Sequence, residues 1–263
     1  MAVTNLVKRI QDIMRNDAGV DGDAQRISQM TWMFFLKVYD SKEEEWEFYD
    51  DKYVSLIPEK LKWRNWAVDD KSNDVMTGDK LLSFVNNLLF SYLKGNEIEL
   101  DGKKLRFEIT QDTPLKQRIA KYVFEDAQNY MKDGVLLRQV INVINEVDFS
   151  EYKERHEFGT IYETILKSLQ SAGNAGEFYT PRAVTDFMVQ MIAPKLGESV
   201  ADFACGTGGF LTSALKYLEP QKVSPEDVVK YNNTIYGIEK KPMPYLLCIT
   251  NMLLHDVDEP RVY

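Results

Sequence analysis

The feature that most constrains the fold is a glycine-rich turn between a short apolar run and an amphipathic segment. The run Ser199 to Ala204 has the length of a buried strand, and a helical pattern begins near Gly209. Gly206 and Gly208 stand between the two, in the pattern G-x-G-G. Glycine has no Cβ, so a ligand can lie directly over the end of the strand. This order of strand, turn and helix predicts the first unit of a parallel α/β sheet.

A second strand, Thr234 to Ile238, and a second helix, Pro242 to His255, extend this pattern into the opening of a doubly wound sheet. The glycine pattern is neither the G-x-G-x-x-G dinucleotide fingerprint nor a phosphate-binding P-loop. Asp202 ends the first strand, where its carboxylate repels a pyrophosphate and suits a cation or an ammonium group. Glu239 follows the second strand, 37 residues later. An acid at that place can accept both hydroxyls of a ribose.

The first 150 residues have a different, mainly helical pattern. Helices are predicted over Asp23–Glu47, Asp79–Leu93, Pro114–Phe124 and Gly134–Val147, and a small hairpin is predicted to turn at Asp101-Gly102. The sequence therefore predicts an N-terminal all-α domain, residues 1–155. The start of an α/β Rossmann-like domain with an incomplete parallel sheet follows it, residues 156–263.

Composition excludes several classes of protein. Two cysteines form neither a disulfide framework nor a cysteine zinc site, and two histidines 99 residues apart predict no metal site. We therefore expect a reducing, cytoplasmic setting. No apolar stretch is long enough to span a membrane. A net charge of −9 is unusual for a protein that binds nucleic acid without a partner. We therefore expect a partner protein to supply many of the contacts to any DNA.

Trp63 and Trp66 stand in a polar stretch beside lysines and an arginine. Such rings can stack on a nucleic-acid base. More often they anchor a loop to the domain core, and we favour that interpretation.

Two motifs together resemble a known family. The block D-x-x-C-G-T-G-G-F-L, from Asp202, resembles the cofactor loop of S-adenosylmethionine-dependent DNA adenine-N6 methyltransferases. The segment G-E-F-Y-T-P-R, Gly176 to Arg182, is more specific. It resembles the segment that covers the cofactor's methionine end in the methyltransferase (modification) subunits of type I restriction–modification systems. The N-terminal residues resemble that family's helical domain less specifically, so the likeness covers nearly the whole chain.

The resemblance implies S-adenosylmethionine as the cofactor and assigns roles by position. By this resemblance, Glu239 binds the ribose hydroxyls of the cofactor and Asp202 faces its methionine ammonium group. Two sets of residues complete the implied cofactor site: Glu177, Phe178, Tyr179, Thr180, Pro181 and Arg182 on the methionine side, and Gly206, Thr207, Gly208 and Gly209 in the loop. The family usually has proline where this chain has Phe203.

The family's catalytic tetrapeptide, Asn-Pro-Pro-Phe/Tyr, does not occur in the 263 residues. That motif receives the flipped adenine, so we expect no catalytic residue here and no methylation by these residues alone. The chain is expected to be the first part of a longer subunit. The resemblance also implies partners: a specificity subunit that recognises the target, a second modification subunit, a restriction subunit and double-stranded DNA.

Two other functions remain open from the residues. The glycine loop does not fix the acceptor, so an RNA or protein methyltransferase is one alternative. A non-catalytic assembly module, with a helical docking domain joined to a partial cofactor domain, is the other.

Overall fold

The computed structural model describes residues 3–69, 75–147 and 180–263. The chain divides into two compact units, Met1–Asn174 and Ala175–Tyr263. The domain boundary predicted between residues 155 and 156 lies outside the described residues and stays a prediction. None of the helices in the described ranges combines the length and the apolar character needed to cross a bilayer.

The first unit is mainly helical, as the sequence predicts. Its described α-helices are α1 (Val3–Met14), α2 (Gly22–Tyr49), α3 (Trp63–Trp66), α4 (Gly78–Ser83), α5 (Phe90–Leu93), α6 (Leu115–Phe124) and α7 (Gly134–Asn145). A 3-10 turn spans Glu59–Leu61, and a π-helical segment, Phe84–Leu89, joins α4 to α5. The single helix predicted over Asp79–Leu93 is therefore continuous but changes its hydrogen-bond spacing in the middle.

The core of this unit forms around α2, whose middle is buried on every side. A helix that is apolar all round must be covered all round, and here aromatic rings do much of the covering. Trp32 packs edge-on against Phe90 at 5.0 Å between ring centroids, and Phe90 packs against Phe124 at 5.1 Å. Rings from α2, α5 and α6 thus interlock in one cluster.

The first unit is not purely helical, which corrects the predicted all-α class. Strands β1 (Ile98–Leu100) and β2 (Lys103–Leu105) pair antiparallel in the hairpin that the sequence predicts. The turn residues Asp101 and Gly102 have φ of 53° and 71°. Positive φ at both central residues is what a tight hairpin of this twist requires, and Asp-Gly supplies it at low cost.

Over residues 180–263, the second unit combines two short parallel strands with four helices. The elements are α8 (Arg182–Ile192), β3 (Val200–Asp202), α9 (Gly209–Leu218), α10 (Pro225–Asn232), β4 (Ile235–Gly237) and α11 (Pro242–Leu254), with a 3-10 turn at Glu219–Gln221. Helix α9 packs against α8 and against both strands. The sequence analysis predicts no helix where α10 lies, although Ser224 caps that helix by accepting the Asp227 N–H.

The sheet of the second unit extends beyond its two predicted strands. Val262 forms a parallel bridge with Gly237, whose N–H donates to the Arg261 carbonyl at 2.9 Å. The Tyr263 N–H donates back to the Gly237 carbonyl at 3.0 Å. Strand β4 is thus paired on both sides, with β3 on one edge and residues 261–263 on the other.

Candidate functional site

The carboxyl ends of β3 and β4 lie side by side, because the two strands pair in parallel. Asp202 is in register with Gly237. The pairing continues past the strands, since the Ile238 N–H donates to the Asp202 carbonyl and the Cys205 N–H donates to the Ile238 carbonyl, each at 3.0 Å. This register brings the residues after β4 next to the glycine turn after β3.

Glu239 contacts the glycine turn directly. One oxygen of its carboxylate, Oε2, accepts the Gly206 N–H at 2.8 Å. The other, Oε1, accepts the Lys241 N–H at 2.7 Å. The side chain is half-buried, so each oxygen retains a lone pair that a further donor can use.

Asp202, the other acid singled out in the sequence, is also half-buried at the end of β3. Its Oδ1 accepts the Ala204 N–H at 3.1 Å, which turns the chain sharply after the strand. Phe203, the residue between them, is 76% exposed. The structure thus brings two carboxylates to one edge of the sheet, at the ends of neighbouring strands.

The glycine turn needs glycine at two positions for different reasons. Gly206 and Gly208 have φ of 55° and 78°, in the left-handed region that L side chains rarely adopt. A Cβ on Gly208 would stand 2.8 Å from Cys248 Sγ, whereas a Cβ on Gly206 would meet no atom within 4 Å. The turn therefore packs tightly against α11 on one side and leaves open space on the other.

Thr207 and Gly209 are the remaining residues of the glycine turn. Thr207 is buried, and Gly209, half-buried, is the first residue of α9. Arg182 reaches this point from α8, where its Nη1 donates to the Gly209 carbonyl at 2.8 Å. Of the residues assigned to the methionine side, Arg182 is thus in contact with the glycine turn.

Two other residues assigned to the methionine side, Thr180 and Pro181, lie in the described part of the chain. Thr180 and Pro181 are exposed. Pro181 occupies the N-cap position of α8. Glu177, Phe178 and Tyr179 lie outside the described residues, and their roles stay predictions.

Helix α8 is held to α9 by polar contacts that sequence reasoning missed. The hydroxyls of Thr185 and Ser213 lie 2.8 Å apart, and Ser213 donates to Asp186 Oδ1 at 2.5 Å. The apolar stripe of this helix, which includes Phe187 and Met191, is instead 60% and 68% exposed at those two residues. The hydrophobic pattern of the sequence predicts that this stripe is buried. In the structure, the face of α8 that contacts α9 is instead the one that carries Thr185 and Asp186.

Cys205 and Cys248 are both free and buried beneath the turn. The pKa of the Cys248 thiol is raised well above its usual range, first by its hydrogen bond with Cys205 and then by burial. The Cys248 thiol therefore stays protonated, and both buried side chains fill space.

The histidines and tryptophans singled out in the sequence are buried wherever the structure describes them. His255 is buried at the end of α11, and His156 lies outside the described residues. No group of three or more potential metal ligands occurs in the described ranges.

Trp63 donates to Asn145 Oδ1 at 2.9 Å, and Trp66 donates to the Leu61 carbonyl at 3.2 Å. Both rings are buried, so they anchor this segment, which is the short helix α3, and do not present a face for a base.

Comparison with known proteins agrees with this architecture. Residues 3–144 match the family model of the HsdM N-terminal domain, and residues 153–263 match that of the N-6 DNA methylases. The chain is 52% identical over 261 residues to the type I restriction enzyme EcoEI methylase subunit of Escherichia coli, a match that covers 99% of this chain and 50% of that relative.

Two solved structures of type I restriction–modification proteins are also similar to this chain. A modification subunit of a putative type I restriction enzyme from Vibrio vulnificus YJ016 matches with a TM-score of 0.79 and 36% identity, over 99% of this chain and 55% of that one. A chain from a study of complex assembly and conformational transition of the type I R-M system matches with a TM-score of 0.77 and 32% identity, over 100% and 50%. The chain spans about half the length of these relatives. It belongs to the family of the methylase, or modification, subunits of type I restriction enzymes.

Proposed function

We propose that this chain forms the S-adenosylmethionine-binding part of a modification subunit that methylates adenine N6 in DNA. The observation that carries the proposal is the contact of Glu239 with Gly206, which places an acid after the second strand against the glycine turn of the first. In open α/β sheets, ligands bind at the carboxyl ends of the strands at such a crevice. The order of strands and helices in the second unit supports a Rossmann-like domain.

The residues present fit S-adenosylmethionine. The side of Gly206 left open by the missing Cβ gives the cofactor room beside the turn. Glu239 has remaining lone pairs for two ribose hydroxyls, and Asp202 offers a carboxylate to the methionine ammonium. Gly208, Thr207 and Gly209 shape the turn, and Arg182 ties it to α8. Residues 177–181 complete the proposed methionine side.

When bound, the cofactor supplies a methyl group activated by a positively charged sulfur. The residues of this chain hold and orient that group. Binding fixes one of the two reactants of a bimolecular transfer, which lowers the barrier only when the second reactant is held as well. Target recognition by a specificity subunit, assembly with a second modification subunit and a restriction subunit, and action on double-stranded DNA in the cytoplasm are parts of the same proposal.

Calorimetric titration tests the cofactor assignment. We expect S-adenosylmethionine to bind to the chain and nicotinamide adenine dinucleotide not to bind, because the Asp202 carboxylate repels a pyrophosphate. Asp202→Asn should weaken S-adenosylmethionine binding, while Glu259→Gln, at an exposed position, should leave it unchanged. No heat of binding from S-adenosylmethionine, or equal binding of both nucleotides, contradicts the proposal.

The acceptor needs a second experiment. Labelled methyl transfer from S-adenosylmethionine should be followed with duplex DNA, RNA and protein as acceptors, using the subunit assembled with a specificity subunit. N6-methyladenine in the duplex supports the proposal. Label in RNA or protein alone favours the other acceptor class, and binding of cofactor without transfer to any acceptor favours an assembly role.

A further inference from the structure

We infer that Asn251, acting through Thr212, is a positioning residue for the glycine turn and thereby for cofactor binding. Neither residue belongs to the glycine motif, and they lie 39 positions apart in the chain. The inference rests on the proposed function for its link to the cofactor. Its link to the turn rests on the contacts alone.

A chain of two hydrogen bonds joins helix α11 to the turn. The Asn251 side-chain Nδ2 donates to Thr212 Oγ1 at 3.0 Å. The Thr212 hydroxyl in turn donates to the Gly208 carbonyl at 2.6 Å. The direction of both bonds is fixed, since an amide Nδ2 only donates and a carbonyl only accepts.

Both side chains are almost fully buried, with 2% of Asn251 and 1% of Thr212 exposed. A buried amide is costly unless it is hydrogen-bonded, and α11 is otherwise largely apolar. An apolar residue would pack in such a helix without that cost. The amide is therefore placed where a donor is needed, and the acceptor it meets is the hydroxyl that holds Gly208.

The same face of α11 also sets the position of the turn by contact. Cys248, Asn251 and Met252 are three and four residues apart, which puts them on one face of the helix. A Cβ on Gly208 would stand 2.8 Å from Cys248 Sγ and 3.1 Å from Met252 Cε. The turn thus rests on α11 through close packing and is oriented by the bond through Thr212.

The bond matters because of where Gly208 stands. It is the N-cap of α9, with φ of 78°, and its N–H donates to the Cys205 carbonyl at 2.8 Å. Fixing its carbonyl fixes the plane of the next peptide, and so the direction of the N–H groups at the start of α9. The N-terminus of a helix attracts negative charge through such N–H groups, and under the proposed function the cofactor's carboxylate is the negative group at hand.

A matched pair of threonines tests the inference. Thr250 and Thr212 are both buried in helices, and each donates its hydroxyl to the carbonyl four residues earlier, Thr250 to Leu246 at 2.8 Å. Thr212→Val and Asn251→Ala should weaken S-adenosylmethionine binding about tenfold, the effect of one lost buried hydrogen bond. Thr250→Val should leave the affinity within about twofold, although it removes a comparable bond. Thr212→Ser should restore the affinity, because it keeps the hydroxyl.

A second measurement does not depend on the cofactor. Amide hydrogen exchange in the unliganded chain should speed up at Gly206 and Gly208 in Thr212→Val and Asn251→Ala, relative to Thr250→Val. If Asn251→Ala does not fold, the two Thr212 variants carry the comparison with Thr250→Val.

The outcomes separate the inference from the proposed function. Equal loss of affinity in Thr212→Val and Thr250→Val, or none in either, overturns the inference while leaving the cofactor site standing. If the parent chain does not bind S-adenosylmethionine, the proposed function fails. The exchange rates then decide whether Asn251 positions the turn, and unchanged rates overturn that as well.

Discussion

Glu239 and Gly206 are joined by a hydrogen bond of 2.8 Å that crosses from the end of β4 to the turn after β3. Because the other carboxylate oxygen accepts the Lys241 N–H, the side chain is held in one orientation at the edge of the sheet. A group held in place beforehand loses less freedom when a ligand binds, so the arrangement favours binding through preorganisation.

Glu239→Ala should weaken S-adenosylmethionine binding by roughly 1.5–3 kcal/mol, the size of hydrogen bonds to a charged group. The variant removes the proposed acceptor of both ribose hydroxyls and also frees the Gly206 N–H. Isothermal calorimetry measures the loss directly. Glu259→Ala serves as the control, because Glu259 is exposed. Equal affinity in Glu239→Ala and the parent would remove the ribose assignment.

The two left-handed glycines should respond differently to alanine. Gly206→Ala should cost about 1–2 kcal/mol of unfolding free energy from backbone strain alone, since its Cβ meets no atom within 4 Å. Gly208→Ala adds an overlap with Cys248 Sγ at 2.8 Å, which should cost about 1–3 kcal/mol more. Urea unfolding of the two variants measures this difference.

Gly206→Ala should also weaken the binding of the cofactor. The Cβ of Gly206→Ala occupies the open side of the turn, so this variant should lose more affinity than its small loss of stability suggests. If Gly206→Ala binds S-adenosylmethionine as tightly as the parent, the cofactor does not lie on that side of the turn.

The sequence predicts those parts of the candidate site that depend on neighbouring residues in the chain. Gly206 and Gly208 follow from the need for backbone without Cβ at a tight turn. Glu239 follows from its place at the end of a short apolar run. The hairpin at Asp101-Gly102 follows from its turn chemistry and is confirmed. Each of these signals lies within a few residues.

The parts that were missed depend on contacts between distant residues. Asn251 and Thr212 meet only after α9 and α11 pack together, and nothing in either helix marks them in advance. The pairing of Val262 with Gly237 involves too few residues to leave a period-two pattern. The exposed stripe that includes Phe187 shows the same limit, because periodicity identifies a face but not the element that covers it.

The buried thiols give a prediction on reactivity. The thiolate is the reactive form, and the pKa of Cys248 is raised well above its usual range. Ellman's reagent should therefore not label Cys248 in the folded chain at pH 8, and it should not reach Cys205, because that side chain is buried. Both should be labelled in urea. Rapid labelling of Cys248 in the folded chain would mean that α11 separates from the turn in solution.

Asp40 is a buried carboxyl of the first unit whose pKa is strongly raised. It lies inside α2 with 6% of its surface exposed, and burial raises its pKa to about 7, while the nearby Arg64 lowers it. Its Oδ2 accepts the Arg64 N–H at 2.9 Å. Its Oδ1 has no hydrogen-bond partner among the described residues, although the Arg64 Nε lies 3.6 Å away. Arg64 therefore compensates only part of the cost of burying the ionised Asp40 carboxylate.

This shift predicts how the stability of the first unit depends on pH. The pKa of Asp40 is higher in the folded chain than its ordinary value of 3.8, so the folded state binds the proton more tightly. Its contribution is fully present below pH 3.8 and is lost as the pH rises to about 7. The total loss has a ceiling of about 4 kcal/mol, at 1.36 kcal/mol for each unit of pKa.

Asp40→Asn should flatten this dependence, because the amide keeps an acceptor for the Arg64 N–H and does not ionise. Urea unfolding at pH 5 and pH 8 should show a larger fall in stability for the parent than for Asp40→Asn. Asp101→Asn, at an exposed hairpin turn, should change with pH as the parent does. If Asp40→Asn loses as much stability as the parent between the two pH values, Asp40 is ionised throughout in the folded chain, and its charge is compensated more fully than its burial indicates.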